Sequence, residues 1–138
     1  MKIMVSACLA GVNCKYNGGN NSSEKLIRLL EDNEVIKVCP EVMGGLPIPR
    51  APGEIVGGVV RNEDGTSVDA EYRRGAQIAY ELALKEKPDL IVLQSRSPSC
   101  GVKQIYDGTF SHVRIPGHGV FAQLVIDAGF NVVDIEDL

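Results

Sequence analysis

Lys87-Pro88-Asp89-Leu90-Ile91-Val92-Leu93-Gln94-Ser95 decides the architecture. Pro88 stops whatever helix precedes it, and Leu90 to Gln94 reads as a buried strand because its apolar run lacks the alternation of a half-exposed one. Upstream, Asp69 caps a long helix with Tyr72, Ala76, Ala79, Tyr80, Ala83 and Leu84 on one face and Lys85 and Lys87 in its last turn. Downstream, Ser95 to Lys103 reads as a loop and Ile105–Phe110 as a short extended piece. Gly117-His118-Gly119 then opens a helix with Val120, Phe121, Leu124, Val125 and Ala128 on its inner face; Gly129 ends it, and Asn131–Ile135 is a last strand. Toward the N-terminus the same alternation recurs. Lys2–Ala7 is an apolar strand running into Cys8, and Leu9 to Asn20 is a loop. Asn21 and Glu24 have capping-box spacing for a helix ending near Asn33, and Val35–Val38 is a strand running into Cys39. Between these halves, Pro40 to Glu54 lacks periodicity, and Ile55–Arg61 with Ser67–Asp69 reads as a hairpin joined by Asn62-Glu63-Asp64-Gly65.

Buried strands alternating with amphipathic helices imply right-handed crossovers and parallel pairing, with helices on both faces. The expected fold is therefore α/β, a small Rossmann-like three-layer sandwich with a mostly parallel sheet, formed as a single domain over residues 1–138. Length and composition agree: 138 residues, 44% hydrophobic and 23% charged, are globular proportions. Eighteen acidic against fourteen basic residues leave a net charge of −4, the wrong sign for a nonspecific grip on nucleic acid. Three Phe, four Tyr and no Trp are too few for a base-stacking platform. No apolar run reaches the length of a membrane span, and the apolar start at Ile3–Ala7 is shorter than a secretion signal requires. A cytoplasmic location is expected, where four cysteines point to metal or catalytic use before disulfides.

Cys8 follows the first strand, Cys39 the second, and Cys100 the loop after the third. In an open parallel sheet these positions share the carboxyl edge, where ligands bind, so distant residues converge on one site. Two other readings stand beside this one. Any single cysteine can be a small buried hydrophobe, and structural zinc is usually marked by close pairs, whereas Cys8 and Cys14 are spaced C-x₅-C. Three dispersed thiolates suit an iron–sulfur cluster, and a cubane with three protein ligands keeps one iron open. Cys14 is a fourth ligand, a sulfur relay or a buried thiol, and the reading favours a role outside the cluster. His112 and His118 lack ligand-like partners, and Gly117-His118-Gly119 is at most a weak phosphate-binding turn.

Around these cysteines stand Val5-Ser6-Ala7-Cys8-Leu9-Ala10-Gly11-Val12-Asn13-Cys14-Lys15-Tyr16-Asn17-Gly18 and Val38-Cys39-Pro40-Glu41-Val42-Met43-Gly44-Gly45-Leu46-Pro47-Ile48-Pro49-Arg50. Ser95-Arg96-Ser97-Pro98-Ser99-Cys100-Gly101 and Ile105-Tyr106-Asp107-Gly108-Thr109-Phe110 follow in order. These segments resemble the small bacterial family that includes the thiouracil desulfurases, over nearly the whole chain. Asn17-Gly18 departs from the Asp-Gly more common there. The resemblance implies a [4Fe-4S] cluster held by Cys8, Cys39 and Cys100, with a small thiolated molecule bound at the fourth iron. It further implies that Glu41 is the acid-base residue, helped by Ser97. Ser99, Arg50 and Tyr106 are the candidate substrate contacts, although Arg50 and Arg96 equally suit pairing with carboxylates. The implied reaction is hydrolytic exchange of sulfur for oxygen on a thiolated pyrimidine or similar molecule. A non-catalytic iron–sulfur or sulfide carrier and a metal-free binding module are the competing readings.

Overall fold

A computed structural model describes residues Met1–Leu138. Its centre is a four-stranded sheet of β1 (Lys2–Ser6), β2 (Glu34–Val38), β5 (Leu90–Leu93) and β8 (Val132–Asp134), ordered β2-β1-β5-β8. Every pairing in it is parallel. Alternate residues of β1 enter separate cores, as the period of two requires. Ile3 and Val5 join Val92 and Leu26 of α1 (Glu24–Leu30) on one face. Met4 joins Ile91 and Leu93 under α3 (Asp69–Glu86) and α4 (Val120–Asp127) on the other. The three-layer, mostly parallel expectation therefore holds. No helix is long and apolar enough to cross a membrane.

From β1 the chain crosses to β2 on one side, then returns through α3 to β5 on the other side of β1. The carboxyl ends of β1 and β5 thus flank a topological switch point, where an open sheet leaves a crevice. Cys8 stands two residues beyond β1 and Cys39 directly beyond β2, while Cys100 is on the loop after β5.

Several local expectations are corrected. A hairpin lies inside the expected first strand: β3 (Gly53–Val56) pairs with β4 (Val59–Asn62), turning at Gly57-Gly58, both at positive φ. The expected turn at Asn62 to Gly65 is also present: the Asn62 amide donates to the Thr66 carbonyl and the Val68 amide to that of Val60, with Arg61 and Ser67 bridged. A Gly-Gly pair can occupy the left-handed turn positions that tight hairpins favour, so it breaks the strand expected to run unbroken over Ile55–Arg61. The supposedly irregular Pro40–Glu54 stretch begins with a helical turn, α2 (Pro40–Met43), with proline at its first position. The extended piece at Ile105 is half of another hairpin, β6 (Gln104–Tyr106) with β7 (Arg114–Pro116). Ser23, not Asn21, caps α1, accepting from the Leu26 amide. Leu84 is 47% exposed, since the buried stripe of α3 runs through Tyr72, Ala76, Ala79 and Ala83, and Leu84 lies a further 100° around the helix.

Candidate active site

The crevice at the switch point opens into a cavity of about 490 Å³, lined by all four cysteines and by Glu41, Arg50, Ser97, Ser99 and Tyr106. The sequence reading expected eight site residues, Cys8, Cys39, Cys100, Glu41, Ser97, Ser99, Arg50 and Tyr106, and every one of them lies on this wall. The site is assembled by backbone constraints. Cys8 sits in a 3-10 turn, Ala7–Ala10, ended by Gly11 at φ 90°. Cys39 is the extended residue that caps α2.

The Cys100 loop is fixed by α4. The amides of Val120, Phe121 and Ala122 donate to the carbonyls of Pro98 and Ser99. A Cβ on Gly119 would lie 2.5 Å from the Ser99 carbonyl carbon. Gly117-His118-Gly119 is therefore a packing device: the helix N-terminus already holds the Ser-Pro-Ser-Cys loop, and no phosphate is needed to satisfy it. His118 is likewise accounted for, through its Nδ1 and the Val102 carbonyl.

Glu41 is the hub. Its Oε1 accepts from Tyr72 Oη at 2.9 Å and from Arg50 Nε at 3.1 Å, while its Oε2 accepts from Ser99 Oγ at 2.7 Å. Ser97 Oγ stands 3.4 Å from Oε2 and 2.8 Å from Ser99 Oγ. It also accepts from the amides of Ser99 and Cys100 at 3.0 and 3.1 Å, so one hydroxyl ties both serines to the cysteine. The Arg50 side chain is 6% exposed and donates also to the carbonyls of Pro47 and Cys14, so each of its three guanidinium nitrogens has a partner. Arg96, also on the cavity wall, is paired with Glu136, gripping both its oxygens at 2.9 and 3.0 Å.

Burial pushes the Cys100 thiol up to about 12, against the opposing contacts with the Ser6 and Ser99 hydroxyls. Cys39 is raised by its contact with Cys14 and then by burial. Cys14 is pulled down by Cys39, but its contact with Cys8 and its burial outweigh that and leave it raised. Burial, with Glu41 beside it, raises the Tyr72 phenol, which stays a donor. These thiols are neutral in the metal-free chain, and a metal must displace their protons. No three His, Cys, Asp or Glu side chains gather closely enough to hold a single metal ion. The four thiols line the same cavity, with Cys14 in contact with Cys8 and Cys39.

The family model described as 2-thiouracil desulfurase matches residues 3–137. The chain belongs to that family. A Bacillus subtilis (strain 168) relative, described as uncharacterized protein YbbK, is 37% identical over 146 residues, covering 99% of this chain and 97% of its own. A solved structure described as the [4Fe-4S]-dependent thiouracil desulfidase TudS superimposes with a TM-score of 0.93 at 40% identity, covering 99% of this chain and 92% of that one.

In this member of the family the sequence left two parts of the site unmarked. Tyr72 was legible as a buried position on α3, but nothing in its spacing tells that its hydroxyl reaches a carboxylate thirty-one residues away. Glu54, Phe110 and His112 also line the cavity. They reach it through two hairpins whose placement depends on tertiary packing.

Proposed function

We propose that this protein is a [4Fe-4S]-dependent desulfidase that replaces the sulfur of a small thiolated pyrimidine, or a similar thiocarbonyl compound, with oxygen from water. Residues 1–138 work as one domain in this reading. Cys8, Cys39 and Cys100 would hold the cluster. The donor set suits it: soft sulfur ligands from three separate loops line one cavity. When bound, the cluster supplies an open iron, a soft Lewis acid for the thiocarbonyl sulfur and for departing sulfide.

The remaining work falls to the chain. Glu41 takes a proton from the water that adds to the thiocarbonyl carbon, where a carbon–oxygen bond forms and the carbon–sulfur bond breaks. One water is consumed and one hydrogen sulfide released, without net oxidation or reduction. Tyr72 and Arg50 fix one carboxylate oxygen, so the other is presented along the serines. Ser97 and Ser99 form a short hydroxyl chain ending on that oxygen, with Ser97 the member less buried from the cavity. Tyr106 is a wall residue for the substrate, and Arg50 acts through Glu41.

The observation that carries the reading is the Glu41 carboxylate, held by three donors in the same cavity as the thiols. Anaerobically reconstituted protein given 2-thiouracil is expected to form uracil and sulfide, and Glu41→Gln is expected to slow this by about 10²–10⁴-fold. A brown, iron-loaded protein that releases no sulfide would mark a carrier instead. Protein without iron or acid-labile sulfide would mark a metal-free binding module.

A further inference from the structure

The tip of the β6–β7 hairpin, residues 107–113, closes one side of the same cavity. We propose that this tip is an aromatic wall that selects flat heteroaromatic thiocarbonyl compounds over puckered ones, with the buried Glu54 carboxylate as the residue that positions it. The inference rests on the desulfidase reading for its substrate class.

Glu54, in β3, is only 9% exposed. No lysine, arginine or histidine pairs with it. A carboxylate withdrawn from water without a cation needs other donors, and its Oε1 accepts from the backbone amides of Gly108 at 3.0 Å and Phe110 at 3.2 Å. Backbone contact completes the clamp: Gly108 has φ +93°, and a Cβ there would lie 2.6 Å from the Ile55 carbonyl oxygen.

The tip so held is strained. Phe110 at φ 57° and His112 at φ 60° are both left-handed, a conformation that costs free energy for any residue with a Cβ. A turn selected for stability alone would place Gly or Asn there. These rings instead line the cavity beside Tyr106, which meets His112 edge to face, centroids 6.1 Å apart and planes at 83°. The chain has seven Phe and Tyr residues, and Tyr16, Tyr72, Tyr106 and Phe110, four of them, line this one space. A planar ring can stack on such a wall, whereas a saturated ring presents hydrogens where the π-face would be.

The test compares 2-thiouracil with 5,6-dihydro-2-thiouracil, which keeps the thiocarbonyl between two N–H groups but loses the flat ring. In cluster-loaded wild type the KM for the flat compound is expected to be lower by about tenfold, the scale of one ring stacked on an aromatic side chain. Phe110→Ala should shrink that ratio to below about threefold with kcat changed less than about twofold, and Phe110→Tyr should preserve it. Glu54→Leu should behave like Phe110→Ala, whereas Glu54→Gln, whose amide oxygen still accepts both N–H groups, should resemble wild type. If Glu54→Leu does not fold, the Phe110 pair decides alone.

Calorimetry of the same proteins with uracil and dihydrouracil reads the preference without turnover. Wild type that releases no sulfide but favours uracil, with the preference lost in Phe110→Ala, overturns the desulfidase reading and upholds the wall. A wild type without ring preference, or a preference unchanged in Phe110→Ala, overturns the wall.

Discussion

Gly75 of α3 and Pro40 of α2 meet backbone to backbone, so that a Cβ on Gly75 would lie 1.6 Å from the Pro40 carbonyl oxygen. The contact is reciprocal, since a Cβ on Gly44 would lie 1.9 Å from the carbonyl oxygen of Glu71. No side chain intervenes between the helices, and neither carbonyl can rotate away without breaking a helix. This apposition fixes Cys39 and Glu41 relative to Tyr72 on α3.

Gly75→Ala is therefore expected to lower stability by about 3 kcal/mol, at the upper end for an overpacked core. It should also reduce the iron retained after reconstitution, because the Cys39 loop is displaced with α2. Thermal melting and iron content measure the two effects. Wild-type values for both would contradict this account of the α2–α3 contact.

The two serines separate by experiment. Ser99→Ala removes the 2.7 Å donor to Glu41 and is expected to cut kcat at least about tenfold, the scale of one hydrogen bond to a charged group. Ser97→Ala removes the acceptor shared by the amides of Ser99 and Cys100, so it should cost about 2 kcal/mol of stability as well as activity. A Ser97→Ala protein that melts like wild type contradicts the bracing role. Unchanged kcat in Ser99→Ala contradicts the relay.

Acid should loosen the hairpin tip. The hydroxyl of Thr109, then its amide, holds the Asp107 carboxyl below its ordinary 3.8. A group depressed in the folded state contributes order that is present above its unfolded value and lost as pH falls through the folded one. An NMR titration of the Thr109 amide should therefore show a midpoint below 3.8. In Thr109→Ala the midpoint, read at the remaining residue-109 amide, should move up toward that value. An identical midpoint in both proteins would show that the hydroxyl does not support the tip.

Much of the frame was legible because local signals agreed with global ones. Leu90 to Leu93 has no exposed face, and Pro88 marks where the preceding helix must end, so the parallel sheet and its shared carboxyl edge followed. That edge brought Cys8, Cys39 and Cys100 to one cavity from three distant segments. Strand order was not legible, since periodicity tells which residues are buried but not which strand lies alongside. The Gly57-Gly58 turn was not legible because Ile55, Val56, Val59 and Val60 on either side of it read as one continuous apolar strand leading to the Asn62-Glu63-Asp64-Gly65 turn, and both turns form. The partners of Glu41 were beyond reach for a similar reason. Arg50 and Tyr72 arrive from a loop and a helix whose distances are set by Gly44 and Gly75, and glycine has no side chain to announce what it touches.

Iron and acid-labile sulfide per chain, measured after anaerobic reconstitution, test whether the sheet edge holds one cubane through Cys8, Cys39 and Cys100. Wild type and Cys14→Ala should each carry about four of both, while Cys8→Ala, Cys39→Ala and Cys100→Ala should each fall close to none. Full occupancy after loss of any one of those three thiols, or an empty protein after loss of Cys14 alone, would contradict the assignment.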